Sequence, residues 1–207
     1  MKFRKIVVGP LQTNCYVLWD GREAIVVDPG DNAEEILRFL NDQGLTLTRI
    51  VATHAHFDHV YAAEELSAAF GTVSSCHRLE AQSARSLWFL HEHYYDSNRP
   101  FPSLQGDLED GSVLHFGGSS LKVMHTPGHT AGSICMLSDG LIFTGDTLFR
   151  GSVGRTDFGG NWGELQLSLR RLSALEEGLK VLPGHGEEST IGYEMKTNRF
   201  LLAIGSG

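Results

Sequence analysis

Between positions 53 and 59 the chain reads Thr53-His54-Ala55-His56-Phe57-Asp58-His59, which places three imidazoles and a carboxylate within six residues. In an extended backbone, residues i and i+2 project to the same side, so His54 and His56 can grip one ion while Asp58 and His59 point to a neighbouring position. Three later segments share one form, an apolar run that meets a glycine and then a ligand-type residue: Met124 to Gly128-His129, Ile142 to Gly145-Asp146, and Val181 to Gly184-His185. Four strand ends converging on one edge would supply His54, His56 and His129 to one metal, and Asp58, His59 and His185 to a second. Asp146 is then free to bridge the two. Two divalent cations a few ångströms apart lower the pKa of a shared water from ~15.7 to about 7, which makes hydroxide available as a nucleophile at neutral pH.

The elements that must position these residues alternate between β-rich runs and amphipathic helices. Three antiparallel strands are predicted over residues 3 to 8, 15 to 18 and 24 to 27, separated by Gly9-Pro10 and Asp20-Gly21. Asn32 followed by Glu35 reads as a capping box, and Ile36, Leu37 and Leu40 predict a helix over about residues 33 to 43. A strand at Arg49 to Ala52 leads into the His-rich segment, and Ala62, Leu66, Ala69 and Phe70 predict the helix behind it. Leu79 to Phe89 is read as helical and Asn98 to Gly106 as loop. Strands follow near 113, 121 to 124, 133 to 137 and 141 to 144, then a helix over about 163 to 175, a strand at Lys180 to Leu182 and a short terminal helix. Helices scattered among mostly hairpin-linked strands predict an α/β (α+β) chain of two sheets with helices outside them.

Ten histidines stand among 207 residues, and His77, His115 and His125 are read as ordinary core or surface residues. His91-Glu92-His93 is a second HxH, but on a helix positions i and i+2 diverge by about 200°, so a solvated face is predicted there. Cys15, Cys76 and Cys135 match no CxxC or zinc-finger spacing and read as buried thiols in a reducing compartment. With 41% hydrophobic and 20% charged residues the composition is globular, and the net charge of −8 with no basic cluster argues against nucleic acid or an anionic membrane as partner. No apolar run reaches the ~20 residues of a membrane span, so a cytoplasmic protein acting on a small molecule is expected.

The segments THAHFDH, TPGHTAGSI, FTGDTLF and LPGHGEEST together resemble the metallo-β-lactamase superfamily, most closely its glyoxalase II-like (hydroxyacylglutathione hydrolase-like) branch. The resemblance extends from Gly9-Pro10-Leu11-Gln12-Thr13-Asn14 and Val27-Asp28-Pro29-Gly30 to Lys196-Thr197-Asn198. It implies a four-layer αββα sandwich and a dinuclear centre of the composition above, usually zinc, with iron or manganese also found in this branch. Glutathione thioesterases of the branch carry a C-terminal helical domain; this chain ends about twenty residues after His185 and has Gly186-Glu187-Glu188 where those enzymes place a substrate-binding Tyr. The expectation is therefore one catalytic domain over residues 1–207, with the thiol carrier open. Arg155 stands where the family has a basic residue that meets a substrate carboxylate, and it reads equally as a structural Arg tying its loop to an Asp. Asp28 is expected to form a turn or to support a ligand from behind.

The expected activity is metal-dependent hydrolysis of a small-molecule thioester such as S-lactoylglutathione, with Asp58 and Asp146 positioning the nucleophile. A mono-iron persulfide dioxygenase is a second reading, since Gly154-Arg155-Thr156-Asp157-Phe158 also occurs in that branch. A metal-holding protein without turnover is the third.

Overall fold

The computed structural model describes residues 1–95 and 99–205. The first sheet follows the chain, from β1 (Lys2–Val8), β2 (Thr13–Asp20) and β3 (Glu23–Val27) to β4 (Thr46–Val51), β5 (Ser74–His77) and β6 (Leu104–Leu108). β1 to β3 are antiparallel, as their turn signals predict, and β3 to β6 are parallel. The second sheet contains β7 (Val113–Phe116), β8 (Ser119–His125), β9 (Ile134–Ser138) and β10 (Leu141–Gly145). A small hairpin, β11 (Leu148–Phe149) and β12 (Ser152–Val153), precedes β13 (Lys180–Pro183) and β14 (Ser189–Thr190), which complete that sheet in the order β14-β13-β10-β9-β8-β7.

The period-2 alternation of the strands sorts their side chains into the interfaces of a four-layer sandwich. On β2 and β3, Cys15, Val17, Ala24 and Val26 face the helices α1 (Ala33–Asp42), α2 (Phe57–Val60) and α3 (Ala63–Phe70), whose Ile36, Leu40, Val60 and Leu66 complete that core. Their neighbours Tyr16, Leu18, Ile25 and Val27 meet Ile134, Met136, Phe143 and Leu182 of the second sheet. The alternate residues of that sheet, Cys135, Ile142 and Val181, pack under later helices. After α4 (Arg78–Ser83) and a 3₁₀ segment, Ala84–His93, these are α5 (Trp162–Ser173), α6 (Ile191–Thr197) and α7 (Arg199–Gly205). The αββα sandwich implied by the resemblance is thus the observed architecture. No helix among the described residues is long and apolar enough to cross a membrane. The three cysteines are free and buried, and burial pushes each thiol pKa up.

Several local expectations need correction. Asn32 does not close a capping box: it adopts a left-handed conformation (φ 54°), its carbonyl side accepts from Gly9 N at 3.2 Å, and its amide reaches Glu35 at 3.3 Å. β5 and β6 had no strand signal, because Ser74-Ser75-Cys76-His77 is short and polar, and Leu104 to Leu108 holds Gly106 and Asp107 on an exposed edge. Part of the expected loop is therefore strand, and Asn98 lies outside the described residues. His91 is buried, with its Nδ1 2.5 Å from the Trp88 carbonyl oxygen, whereas His93 is exposed as expected. The 3₁₀ turn sets His91 against Tyr61 and leaves His93 in water.

The centre between the sheets rests on Phe143, whose ring meets Tyr16 at 5.2 Å and Phe3 at 6.5 Å. Phe143→Ala is expected to lower unfolding stability by about 3–5 kcal/mol, measured by urea denaturation.

Candidate metal centre

All the predicted ligands arise where strands end on one edge of the sandwich. β4 runs out into Thr53 and His54, β8 into Pro127-Gly128-His129, β10 into Asp146, and β13 into Gly184-His185. His56 is the extended residue before α2, and Asp58 and His59 lie on that single helical turn, so the later half of the motif is helical rather than extended. Crowding at this edge is severe: a Cβ on Gly184 would lie 2.3 Å from Asp146 Oδ1 and 2.8 Å from the His59 ring. Only glycine lets the last strand pass so close.

The side chains gather into a His54, His56 and His129 group and an Asp58, His59 and His185 group, with a third, His54, His59 and Asp146, overlapping both. His54 Nε2, His56 Nδ1 and His129 Nε2 form a triangle with edges of 3.2, 3.1 and 3.2 Å. Alongside it, His185 Nε2 lies 3.2 Å from Asp58 Oδ2 and 3.3 Å from His59 Nε2, with 3.6 Å between His59 and Asp58. Asp146 stands between the groups, with Oδ1 3.5 Å from His59 Nε2 and Oδ2 3.8 Å from His129 Nε2 and 3.6 Å from His185 Nε2.

The outward-facing nitrogens show which atoms remain available. His129 Nδ1 donates to the Arg155 carbonyl at 2.7 Å, and His185 Nδ1 to the Leu11 carbonyl at 3.1 Å. His54 Nδ1 lies 3.2 Å from Thr53 Oγ1, which donates onward to Asp28 Oδ2 at 2.7 Å. The same Asp28 oxygen is 3.0 Å from His59 Nδ1, and Asp28 Oδ1 accepts from Thr53 N at 2.7 Å. A neutral imidazole has one N–H, so using it outward leaves an Nε2 lone pair facing the centre. Asp28 thereby supports one ring of each group, from a left-handed turn (φ 51°) that Asp tolerates.

Charge follows from these surroundings. Burial, reinforced by the neighbouring imidazoles, holds His54 well below its ordinary pKa and brings His56 to about 3, so both are neutral at pH 7. Burial also opposes a charge on His59, but Asp58, Asp146 and Asp28 outweigh it and push this ring up to about 10. His185 is raised in the same way, by Asp58 and Asp146 against burial. Burial acts to raise Asp58, yet His59 and His185 hold its carboxyl well below the usual range.

These residues fit a pair of divalent cations. The three inward nitrogens stand 3.1–3.2 Å apart, and three ligands about 2.0–2.1 Å from a tetrahedral ion span a similar ~3.3 Å. Asp146 Oδ1 and His56 Nε2 are buried without a hydrogen-bond partner among the described residues, and such an orphaned carboxylate oxygen suits a cation. Arg155 has an observed partner for the structural one of its two readings. It lines the cavity above the centre, and its guanidinium grips Asp157, with Nε to Oδ1 at 2.6 Å, while stacking 4.3 Å over the Phe158 ring. Sequence reasoning missed Thr13, whose Oγ1 donates to Asp58 Oδ2 at 3.0 Å, and Asn14 and Tyr16, which hold the Pro183 carbonyl at 2.9 and 2.8 Å and so anchor the His185 loop. Only the unassigned resemblance around Thr13-Asn14 signalled them.

A two-sheet sandwich with this His and Asp cluster at its strand ends defines a class of metal-dependent hydrolases. The metallo-beta-lactamase superfamily domain matches residues 8–185. Hydroxyacylglutathione hydrolase GloC of Haemophilus influenzae is 34% identical over 97% of this chain and 98% of its own. Among solved structures, TTHA1623 in a di-iron-bound form superposes with a TM-score of 0.86 at 36% identity, covering 96% of this chain and 100% of that one. The BLEG-1 B3 metallo-beta-lactamase superposes with a TM-score of 0.84 at 35% identity, covering 97% and 99%. The chain belongs to the metallo-β-lactamase superfamily, whose fold binds divalent metals.

Loss of the Asp28 carboxylate should loosen both rings it supports. Asp28→Asn is expected to weaken divalent-cation binding by about 10–100-fold, measured by competition with a chromophoric chelator.

Proposed function

We propose that this protein is a dinuclear metallohydrolase cleaving small-molecule thioesters, of which S-lactoylglutathione is the first to test. The observation that carries the reading is the pair of adjoining ligand groups, His54, His56 and His129 beside Asp58, His59 and His185, with Asp146 between them at the floor of a cavity of about 560 Å³. Both halves of the chain contribute ligands, which supports residues 1–207 working as one catalytic domain. Zinc suits the nitrogen-rich first group, and the di-iron form of TTHA1623 makes iron a real competitor. The free, buried thiols fit a cytoplasmic setting.

With two divalent cations bound, the centre supplies Lewis acidity for a carbonyl and a water that ionises near pH 7. The chain does the rest. Leu11, Phe57, Leu90, Phe149 and Phe158 wall the cavity and exclude bulk water from the acyl group. Leu90, His93 and Tyr94 stand at the cavity mouth. Asp58 and Asp146 orient the attacking water, the Asp58 carboxylate being held ionised at neutral pH by His59 and His185. A thiolate leaves without protonation, so no separate acid is required. Arg155 meets an anionic end of the substrate, which must compete with Asp157 for the guanidinium.

The second ligand group favours this reading over a mono-iron persulfide dioxygenase, which needs only the first. Elemental analysis of protein purified without added metal, coupled to S-lactoylglutathione hydrolysis, tests the choice: two ions per chain and turnover are expected. One iron per chain with oxygen uptake on glutathione persulfide would instead establish the dioxygenase, and a metal-loaded protein inert on a panel of thioesters would establish a metal holder. His56→Ala and Asp146→Ala are expected to abolish hydrolysis, whereas Arg155→Ala should raise KM about tenfold with kcat little changed, as steady-state kinetics will show.

A further inference from the structure

Glu80 lies on α4, outside every ligand segment, with 1% of its surface exposed. Its carboxylate faces backbone rather than a ring. Oε1 accepts from Ala55 N at 2.9 Å, and Oε2 accepts from Thr130 Oγ1 at 2.8 Å and Gly132 N at 3.1 Å. Ala55 is the residue between His54 and His56, and Thr130 to Gly132 directly follow His129. One carboxylate therefore joins the two loops that carry all three histidines of the first group. Gly132 makes the approach possible, because a Cβ there would lie 2.5 Å from Glu80 N and 2.6 Å from Oε2. Thr130 is itself fixed on the far side, where its Oγ1 meets Ser133 Oγ at 2.7 Å and its N–H donates to that oxygen at 3.1 Å.

We propose that Glu80 is a positioning residue for the His54, His56 and His129 site: it sets the separation of the two loops and so the ability of the three rings to close on one ion. The inference rests on the reading of that triangle as a metal site. An ionised carboxylate holds donors more strongly than a neutral acceptor does, and two backbone amides plus one hydroxyl use both of its oxygens. The second group has its own supports, none of them Glu80. Asp58 is held by Thr13, His59 faces Asp28, and His185 donates to Leu11.

Glu80→Gln keeps shape and burial but must turn an NH2 toward either Ala55 N–H or the Gly132 and Thr130 donors. The test measures zinc affinity by chelator competition in two backgrounds, His185→Ala, which retains the three-histidine site, and His129→Ala, which retains the other. Added Glu80→Gln is expected to weaken zinc about 10–100-fold in the first background and less than about twofold in the second. Thr130→Val, which removes one donor and leaves the charge buried, should act in the same direction by a few-fold, and it carries the test if Glu80→Gln does not fold. Equal losses in the two backgrounds, or none in the first, would overturn the role of Glu80. Wild-type protein that takes up no zinc, iron or manganese would overturn the metal reading itself, and this inference with it.

Discussion

The constraint on which the structure depends is the crowding of like groups at one edge of the sandwich. Three imidazole nitrogens stand 3.1–3.2 Å apart with their protons on the other side of two of the rings. Burial denies His54 and His56 the charge that would let them bond to neighbours. Such a set costs free energy unless a cation fills it, and a cation that binds only the folded chain returns that cost as stability. Metal uptake and folding are therefore linked through the same few atoms. The acidic second group responds differently, since Asp58, Asp146 and Asp28 draw protons onto His59 and His185.

The scaffold resists this crowding by dividing the work between the sheets. The first provides His54, His56, Asp58 and His59 and the Asp28 carboxylate; the second provides His129, Asp146 and His185. Contacts that hold the sheets together are thereby contacts that hold the site. Tyr16 shows the link directly: its ring packs on Phe143 in the central layer, and its hydroxyl donates to the Pro183 carbonyl beside the His185 loop. Thr13 pairs with His185 across the gap and donates to Asp58.

Where a signal was local, the sequence carried it well. The turn signals at Gly9-Pro10 and Asp20-Gly21 marked off three antiparallel strands, and the HxHxDH spacing put four ligand-type residues within six positions. Signals failed where the decisive partner was distant. Asn32 had the right type for a cap, but Gly9, far along the chain, competes for its side chain. His91 looked like one of a solvated pair until the 3₁₀ turn placed it against Trp88 and Tyr61. Glu80 had no signal, because a buried carboxylate whose partners are backbone amides leaves no pattern of side-chain types.

By itself, the sequence determined the family and which segments bring His and Asp side chains to one edge, because these depend on residue type and on spacings within a turn or a strand end. Only the tertiary structure decided which nitrogens of His129 and His185 face inward and that one Asp28 oxygen serves both groups. Those outcomes turn on hydrogen bonds between residues 25 to 174 positions apart, such as Thr53 with Asp28 and His185 with Leu11. Such partners meet only when distant segments have come together, and the tautomers of His129 and His185 follow those distant partners rather than their neighbours in sequence.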